Sequence, residues 1–282
     1  MLVTLKEILK LADARKNAIG CFNGPNLASI RAVIYAAEEL NEPVVLTHAQ
    51  LHEEMGLCKL EEITPIMLMY ADRAKVPVCV HLDHGTDLDY IKRGLDLGFT
   101  SVMYDGSALD YEMNLANTSV IREVSLRYGA SLEAEVGSMG AREHGGGESL
   151  VNDENIYTDP ETAKDFANAT GIDALACAFG TVHGFYIKEP KLDFERLKRI
   201  NSLVKAPLVM HGGSGVSDED YKKVIEYGIR KVNYYTYMAK AGTAAVAEME
   251  PTKFYHDIEV AAMEGMKLDV MSAIRIFARS AE

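Results

Sequence analysis

No apolar run in this 282-residue chain approaches the about 20 residues that a membrane-spanning helix needs. The amino-terminal stretch also lacks the apolar core and the small-residue cleavage pattern of a secretory signal. From Met1 to Ala12 it is amphipathic, with Lys6 inside it and Asp13 just after. Cysteine is scarce: Cys21, Cys58, Cys79 and Cys177 form no CxxC pair, and three of them lie inside apolar runs, so they read as buried thiols rather than a disulfide framework. These absences make the cytoplasm the expected location. Positive charge is in deficit, 29 Lys and Arg against 42 Asp and Glu, for a net charge of −13. That argues against a nucleic-acid footprint and against attraction to anionic lipid. An anionic substrate would have to be met by a local cluster of backbone N–H groups or by a metal.

What the chain has is alternation. Eight short runs of strand character begin near Ile19, Pro43, Pro77, Ser101, Ser131, Ala174, Pro207 and Lys231, and stretches of helical period separate them. With no composition break to mark a linker, residues 1–282 read as a single (β/α)₈ barrel of the α/β class, with a helical extension from about 253. Helix punctuation agrees. Asn26 precedes Leu27, Ile30, Val33, Ile34, Ala37 and Leu40, Asp159-Pro160 reads as a cap and first position with Gly171 as the stop, and Ser217 with Asp220 opens a helix closed by Gly228. The carboxy-terminal segment offers Ile258, Met263, Met266, Leu268, Val270 and Ile274 for packing. Residues 138–159 form a long connection containing Gly145-Gly146-Gly147, of the kind that is usually functional or mobile.

In a barrel the carboxy-terminal strand ends converge on one mouth, so the residues closing each run matter most. The third run ends His81-Leu82-Asp83-His84, the fourth reaches Asp105, and the fifth carries Glu133 and Glu135. The sixth leads into Thr181-Val182-His183, and the seventh ends at His211. A single histidine at such a rim is most often an ordinary hydrogen-bonded one. Three of them, His84, His183 and His211, from three strand ends, match the ligand set of a catalytic zinc with one position open. His81 reads as a supporting residue beneath them. Individually, His48, His52, His144 and His256 have no comparable support. Gly212, Gly213, Ser214 and Gly215 follow His211, and Asn233 and Thr236 come from the last run, which together suit a phosphate, although glycines alone also make plain turns. A Schiff-base enzyme would need a lysine at this mouth. Lys231 opens the eighth run and is expected at the opposite face, and Lys188 and Lys191 belong to the connection after the sixth run, so metal chemistry is favoured.

The strings HLDHGTDLDY, SVMYDGS, EAEVGSMG, GTVHGFY, PLVMHGGSGVS and KVNYYT, in this order and across essentially the whole chain, resemble the class II fructose-bisphosphate and tagatose-bisphosphate aldolases. The resemblance implies zinc on His84, His183 and His211, with Asp83 as the proton-transferring aspartate. It also implies Glu143 as the loop residue that protonates a zinc-stabilised enediolate of dihydroxyacetone phosphate. Asp105 and Glu135 would line the metal region. Gly184, Gly212, Ser214, Asn233 and Thr236 would hold the phosphate, with a monovalent cation, Na⁺ or K⁺, nearby. The expected partners are a phosphorylated ketose and an aldehyde, with neither nucleic acid nor membrane, in a homo-oligomer, dimer or tetramer. The chain departs from the pattern at Tyr235, where fructose-bisphosphate members resemble NVDT and tagatose-bisphosphate members NVAT. Arg142 and His48 are unusual as well, so these three are candidate specificity positions, with loop drift as the plainer explanation. A zinc-dependent hydrolase and a noncatalytic sugar-phosphate-binding subunit are the competing readings.

Overall fold

The structure is a computed structural model that describes residues 1–137, 157–181 and 190–279. The eight runs become the eight parallel strands of a closed barrel. These are β2 (Ile19–Asn23), β3 (Val44–Ala49), β4 (Val78–Gly85), β5 (Ser101–Tyr104), β6 (Ser131–Val136), β7 (Ala174–Cys177), β8 (Leu208–Met210) and β9 (Ile229–Tyr234). The circle closes because β9 pairs with β2 and β4 pairs with β5. A two-residue strand, β1 (Leu2–Val3), joins β4 at its start. Among the described residues, no helix is long and apolar enough to cross a membrane.

Alternation along the strands sorts the side chains into two sets. Val44, Leu46, Val78, Val80, Leu82, Leu132 and Ala134 face the surrounding helices and form the larger apolar core. Ile19, Cys21, Val45, Cys79, Met103, Ala174, Ala176 and Val209 face the lumen. That inner layer is completed from below by α1 (Leu5–Arg15), whose Leu5, Ile8, Leu9 and Ala12 lie one and two turns apart on one face. Burying each of the three larger side chains stabilises the fold by about 1.5–3 kcal/mol, so α1 is a structural base to the barrel. Thr4 caps it, accepting from the Glu7 N–H, while Glu7 reaches back to the Thr4 N–H. Above the apolar layer the lumen turns polar: His81, Asp83, Glu133, Glu135, His211, Lys231 and Asn233 are all buried.

The helix signals read from the sequence hold. Asn26 caps α2 (Leu27–Leu40) by accepting from the Ser29 N–H, and Asp159 caps α7 (Pro160–Thr170), which stops at Gly171 with φ 61°. Ser217 caps α9 (Asp218–Glu226), and Gly228, at φ 113°, turns the chain into β9. α11 (Tyr255–Ala278) packs against α10 (Thr236–Glu248) and α2. It buries Met263, Met266, Val270, Ile274 and Phe277, but Leu268 is 63% exposed and Ile258 is 37% exposed, because both fall off the three- and four-residue spacing that the buried side keeps.

Lys231 corrects an expectation. It does not open its strand: Ile229 already pairs with Leu208, which makes Lys231 the third residue of β9 and turns its side chain into the lumen. There it is fully buried, instead of lying at the lower face.

Candidate active site

Asp83 and His84 are adjacent in sequence, and in a regular strand their side chains would point to opposite faces. A bulge prevents this. Leu82 pairs with Val102 and Gly85 with Tyr104, so three steps along β4 match two along β5. His84 absorbs the extra residue with φ 47°, in the left-handed region that a histidine adopts at a cost of about 1–3 kcal/mol. The outcome is that both side chains address the barrel mouth. Asp83 Oδ, a His84 nitrogen and a His211 nitrogen all lie within 4.8 Å of one another.

The two histidines meet edge to face, with His84 Nε2 2.9 Å from His211 Nδ1. Each ring's other nitrogen is held by a carboxylate: His84 Nδ1 lies 2.8 Å from Asp105 Oδ2, and His211 Nε2 lies 2.8 Å from Glu133 Oε1. These contacts assign the protons. Asp105 and Glu133 can only accept, so His84 carries a proton on Nδ1 and His211 carries one on Nε2, which leaves the His211 Nδ1 lone pair facing His84. Burial alone would lower the His84 pKa, but Asp83 and the bond to Asp105 outweigh it and raise it to about 10. Burial, aided by the positive His84, instead lowers His211. His84 Nε2 is thereby placed to donate to His211 Nδ1 across the 2.9 Å between them. Nitrogens that share a tetrahedral zinc at about 2.0–2.1 Å stand roughly 3.3 Å apart, so the observed pair fits such an ion after a shift of a few tenths of an ångström.

Among the described residues, three overlapping groups could hold a cation: Asp83, His84 and His211; His84, Asp105 and Glu135; and His81, Asp83 and Glu133. The last is already neutralised from within the chain, since Lys231 Nζ lies 2.9 and 3.1 Å from the two oxygens of Glu133. Burial opposes charge on Lys231, yet Cys21, Glu133 and Asp83 outweigh it and hold the ammonium well above its usual range. An amine so firmly protonated is the reverse of what Schiff-base formation requires. Glu133 responds in kind: burial would raise it, but Lys231 and the His211 bond lower it to about 2. His81, its Nδ1 on Ser101 Oγ at 2.8 Å, sits 3.8 Å from both Asp83 and Glu133, and burial followed by the Lys231 charge drops it to about 3.

The remaining site candidates sort by position. Asp105 accepts from Ser107 N–H and Oγ as well as from His84, and those bonds hold it low against the opposing effect of burial. Asn233 donates to Asp83 rather than facing outward, and its Oδ1 is buried with no hydrogen-bond partner among the described residues. Ser214 Oγ accepts from the Tyr235 N–H at 3.0 Å, which sets the Gly212–Ser214 turn against the start of α10, where Thr236 is the first residue. Gly212 and Gly215, at φ 62° and 90°, supply backbone angles that other residues rarely adopt. Tyr235 lines the rim with its ring 5.5 Å from that of His52, and His52 in turn meets Asn23. His48 is not brought to the mouth. It alternates with Thr47 and Ala49, is fully buried, and bonds Tyr90 Oη at 3.0 Å. Arg142, Glu143, His183 and Gly184 lie outside the described residues. The sequence alone did not disclose the Lys231–Glu133 pair or the Asn233–Asp83 bond. The signal for both was parity, because Glu133, Glu135, Lys231 and Asn233 fall on inward positions.

A sequence profile of the family described as "Fructose-bisphosphate aldolase class-II" matches residues 3–282. A protein of Staphylococcus epidermidis named fructose-bisphosphate aldolase is 36% identical over 291 residues, covering 99% of this chain and 98% of the relative. Another of that name from Geobacillus stearothermophilus is 40% identical over 249 residues, covering 88% and 85%. Among solved structures, the YdjI aldolase from Escherichia coli K12 superposes with a TM-score of 0.87 at 34% identity, covering 98% of this chain and 97% of that one.

Proposed function

The chain belongs to the class-II fructose-bisphosphate aldolase family, aldehyde-lyases that are generally zinc-dependent and act on phosphorylated sugars, and on that premise we propose that it cleaves and forms a ketose phosphate with His84, His183 and His211 as zinc ligands. The hydrolase reading falls with that membership. The observation that carries the ligand set is the pair of facing nitrogens 2.9 Å apart on His84 and His211, each ring tied on its far side to a carboxylate. When bound, the ion supplies Lewis acidity that stabilises negative charge developing on the ketose oxygens.

The chain's own groups do the rest. Asp83, oriented by the Asn233 amide, takes the proton from the hydroxyl that becomes the aldehyde, and Glu143 returns a proton to the other fragment. Asp105 and Glu135 set the charge around His84. The phosphate is held by Gly184, Gly212, Ser214 and Thr236, while the Asn233 amide is committed to Asp83. Support comes from the start of α10, a 13-residue helix whose first turn has no side-chain cap and whose N–H groups favour an anion. A Na⁺ or K⁺ ion would complete that corner. Tyr235, Arg142 and His48 govern the choice of aldehyde, with His48 acting at one remove through His52, whose ring centre is 5.7 Å away. The chain works as one barrel domain with α11 as its helical extension. We place it in the cytoplasm as a homo-oligomer, dimer or tetramer, a reading favoured by Tyr255, Val260 and Leu268, apolar and exposed on α11.

The test is metal analysis joined to an assay of triose phosphate release from ketose phosphates, before and after chelation. Zinc bound at one ion per chain, with activity lost on its removal and restored on its return, is expected. Full turnover by metal-free protein would overturn the proposal.

A further inference from the structure

Three side chains beneath the mouth, Lys231, Glu133 and His211, are fully buried and joined in series. Lys231 Nζ contacts both oxygens of Glu133, and Glu133 Oε1 in turn accepts from His211 Nε2. That ion pair holds the carboxylate in place, with Oε2 making no hydrogen bond among the described residues, so the lone pair of Oε1 is directed at one nitrogen of the ring above. We propose that Lys231 is a positioning residue which, through Glu133, fixes the tautomer and the ring orientation of His211 so that Nδ1 is presented to the metal beside His84 Nε2. This rests on the ligand reading given above.

Stability gives no adequate reason for the pair. Placing an ammonium and a carboxylate in a barrel interior carries a desolvation penalty that their attraction at best offsets, and apolar replacements of similar size are often neutral or stabilising. The neighbours below, Cys21, Val45, Cys79 and Val209, show that apolar side chains are accommodated in the same lumen. The geometry also excludes a purely local role. Lys231 stands on β9, next to β8, and Glu133 on β6, two strands away on the other side, while His211 follows β8, so the pair braces the ring from both flanks. Without it, the ring could rotate about its Cβ–Cγ bond and exchange Nδ1 for a carbon. His84 has a separate brace in Asp105, so the two ligands are oriented independently.

The experiment compares wild type, His211→Ala, the double variant Lys231→Met/Glu133→Leu, and Lys231→Met alone. Zinc affinity is read by competition with a chromogenic chelator, the visible spectrum with Co²⁺ in place of zinc, and the melting temperature alongside. Expected for the double variant is a melting temperature near or above that of wild type, a zinc affinity roughly 10- to 100-fold weaker, and an altered Co²⁺ spectrum. Should the double variant not fold, Glu133→Gln, which keeps the shape of the side chain, is expected to weaken zinc in the same direction. If His211→Ala binds zinc as tightly as wild type, the ligand reading fails and takes this inference with it. If His211→Ala loses zinc while the Lys231 and Glu133 variants retain wild-type affinity and spectrum, the inference alone is overturned.

Discussion

Asn233 donates its side-chain amide to both carboxylate oxygens of Asp83, at 3.1 Å each, from 150 residues further along the chain. Asp83 sits in a bulge and Asn233 on the last strand, so the barrel's closure is what brings them together. Hydrogen bonds to a charged group are worth about 1.5–3 kcal/mol, and each 1.4 kcal/mol is tenfold in rate. Asn233→Ala is therefore expected to lower kcat about 10- to 100-fold. Steady-state kinetics on the variant check this, and unchanged kcat would show that the amide does not serve the aspartate.

Asp83→Ala removes the proposed acid/base group itself, and the expected loss of turnover is roughly 10²- to 10⁴-fold. Zinc content, measured on the same preparation, should remain, because the imidazoles and their carboxylate braces are untouched. Near-normal turnover would remove Asp83 from the mechanism.

His48 and His52 are buried side by side, and burial first, with mutual repulsion added at His48, lowers both from 6.5 to about 4. The folded protein keeps them neutral while the unfolded chain protonates them below about pH 6.5, so the sign is fixed. Their contribution to stability is complete above pH 6.5 and declines as the pH falls towards 4. Urea midpoints across that window should drop less steeply in His48→Gln/His52→Gln than in wild type. Parallel curves would contradict the assignment.

Tyr235 places a phenol where the resembled families have a small or acidic residue, and its ring packs on His52 with the centres 5.5 Å apart. Tyr235→Ala is expected to widen the range of aldehydes accepted with dihydroxyacetone phosphate, raising kcat/KM for the bulkier ones several-fold relative to the smallest. A panel of aldehydes measures it. An unchanged order of preference would mean that specificity is decided elsewhere.

Much of this architecture could be read before any coordinates. All eight barrel strands, the capping of α2, α7 and α9, and the gathering of Asp83, His84 and His211 follow from hydrophobic period, turn residues and the convergence of strand ends. What escaped has physical causes. Lys231 was misplaced by a two-residue error in where β9 starts, and in a barrel that distance decides between the lower face and the lumen. Its partner Glu133 lies 98 residues away, beyond any local pattern. The left-handed angle of His84 has no sequence mark, because histidine carries none of glycine's freedom. His48 was readable after all: counting from Thr47 puts it on the outer side of β3.

The apolar base laid by Leu5, Ile8, Leu9 and Ala12 seals the lower end of the barrel, and Lys231, Glu133 and His211 fill the lumen above it. With the interior packed from floor to mouth, reactants have only the rim to settle on, so trimming the floor is expected to cost stability while leaving turnover alone.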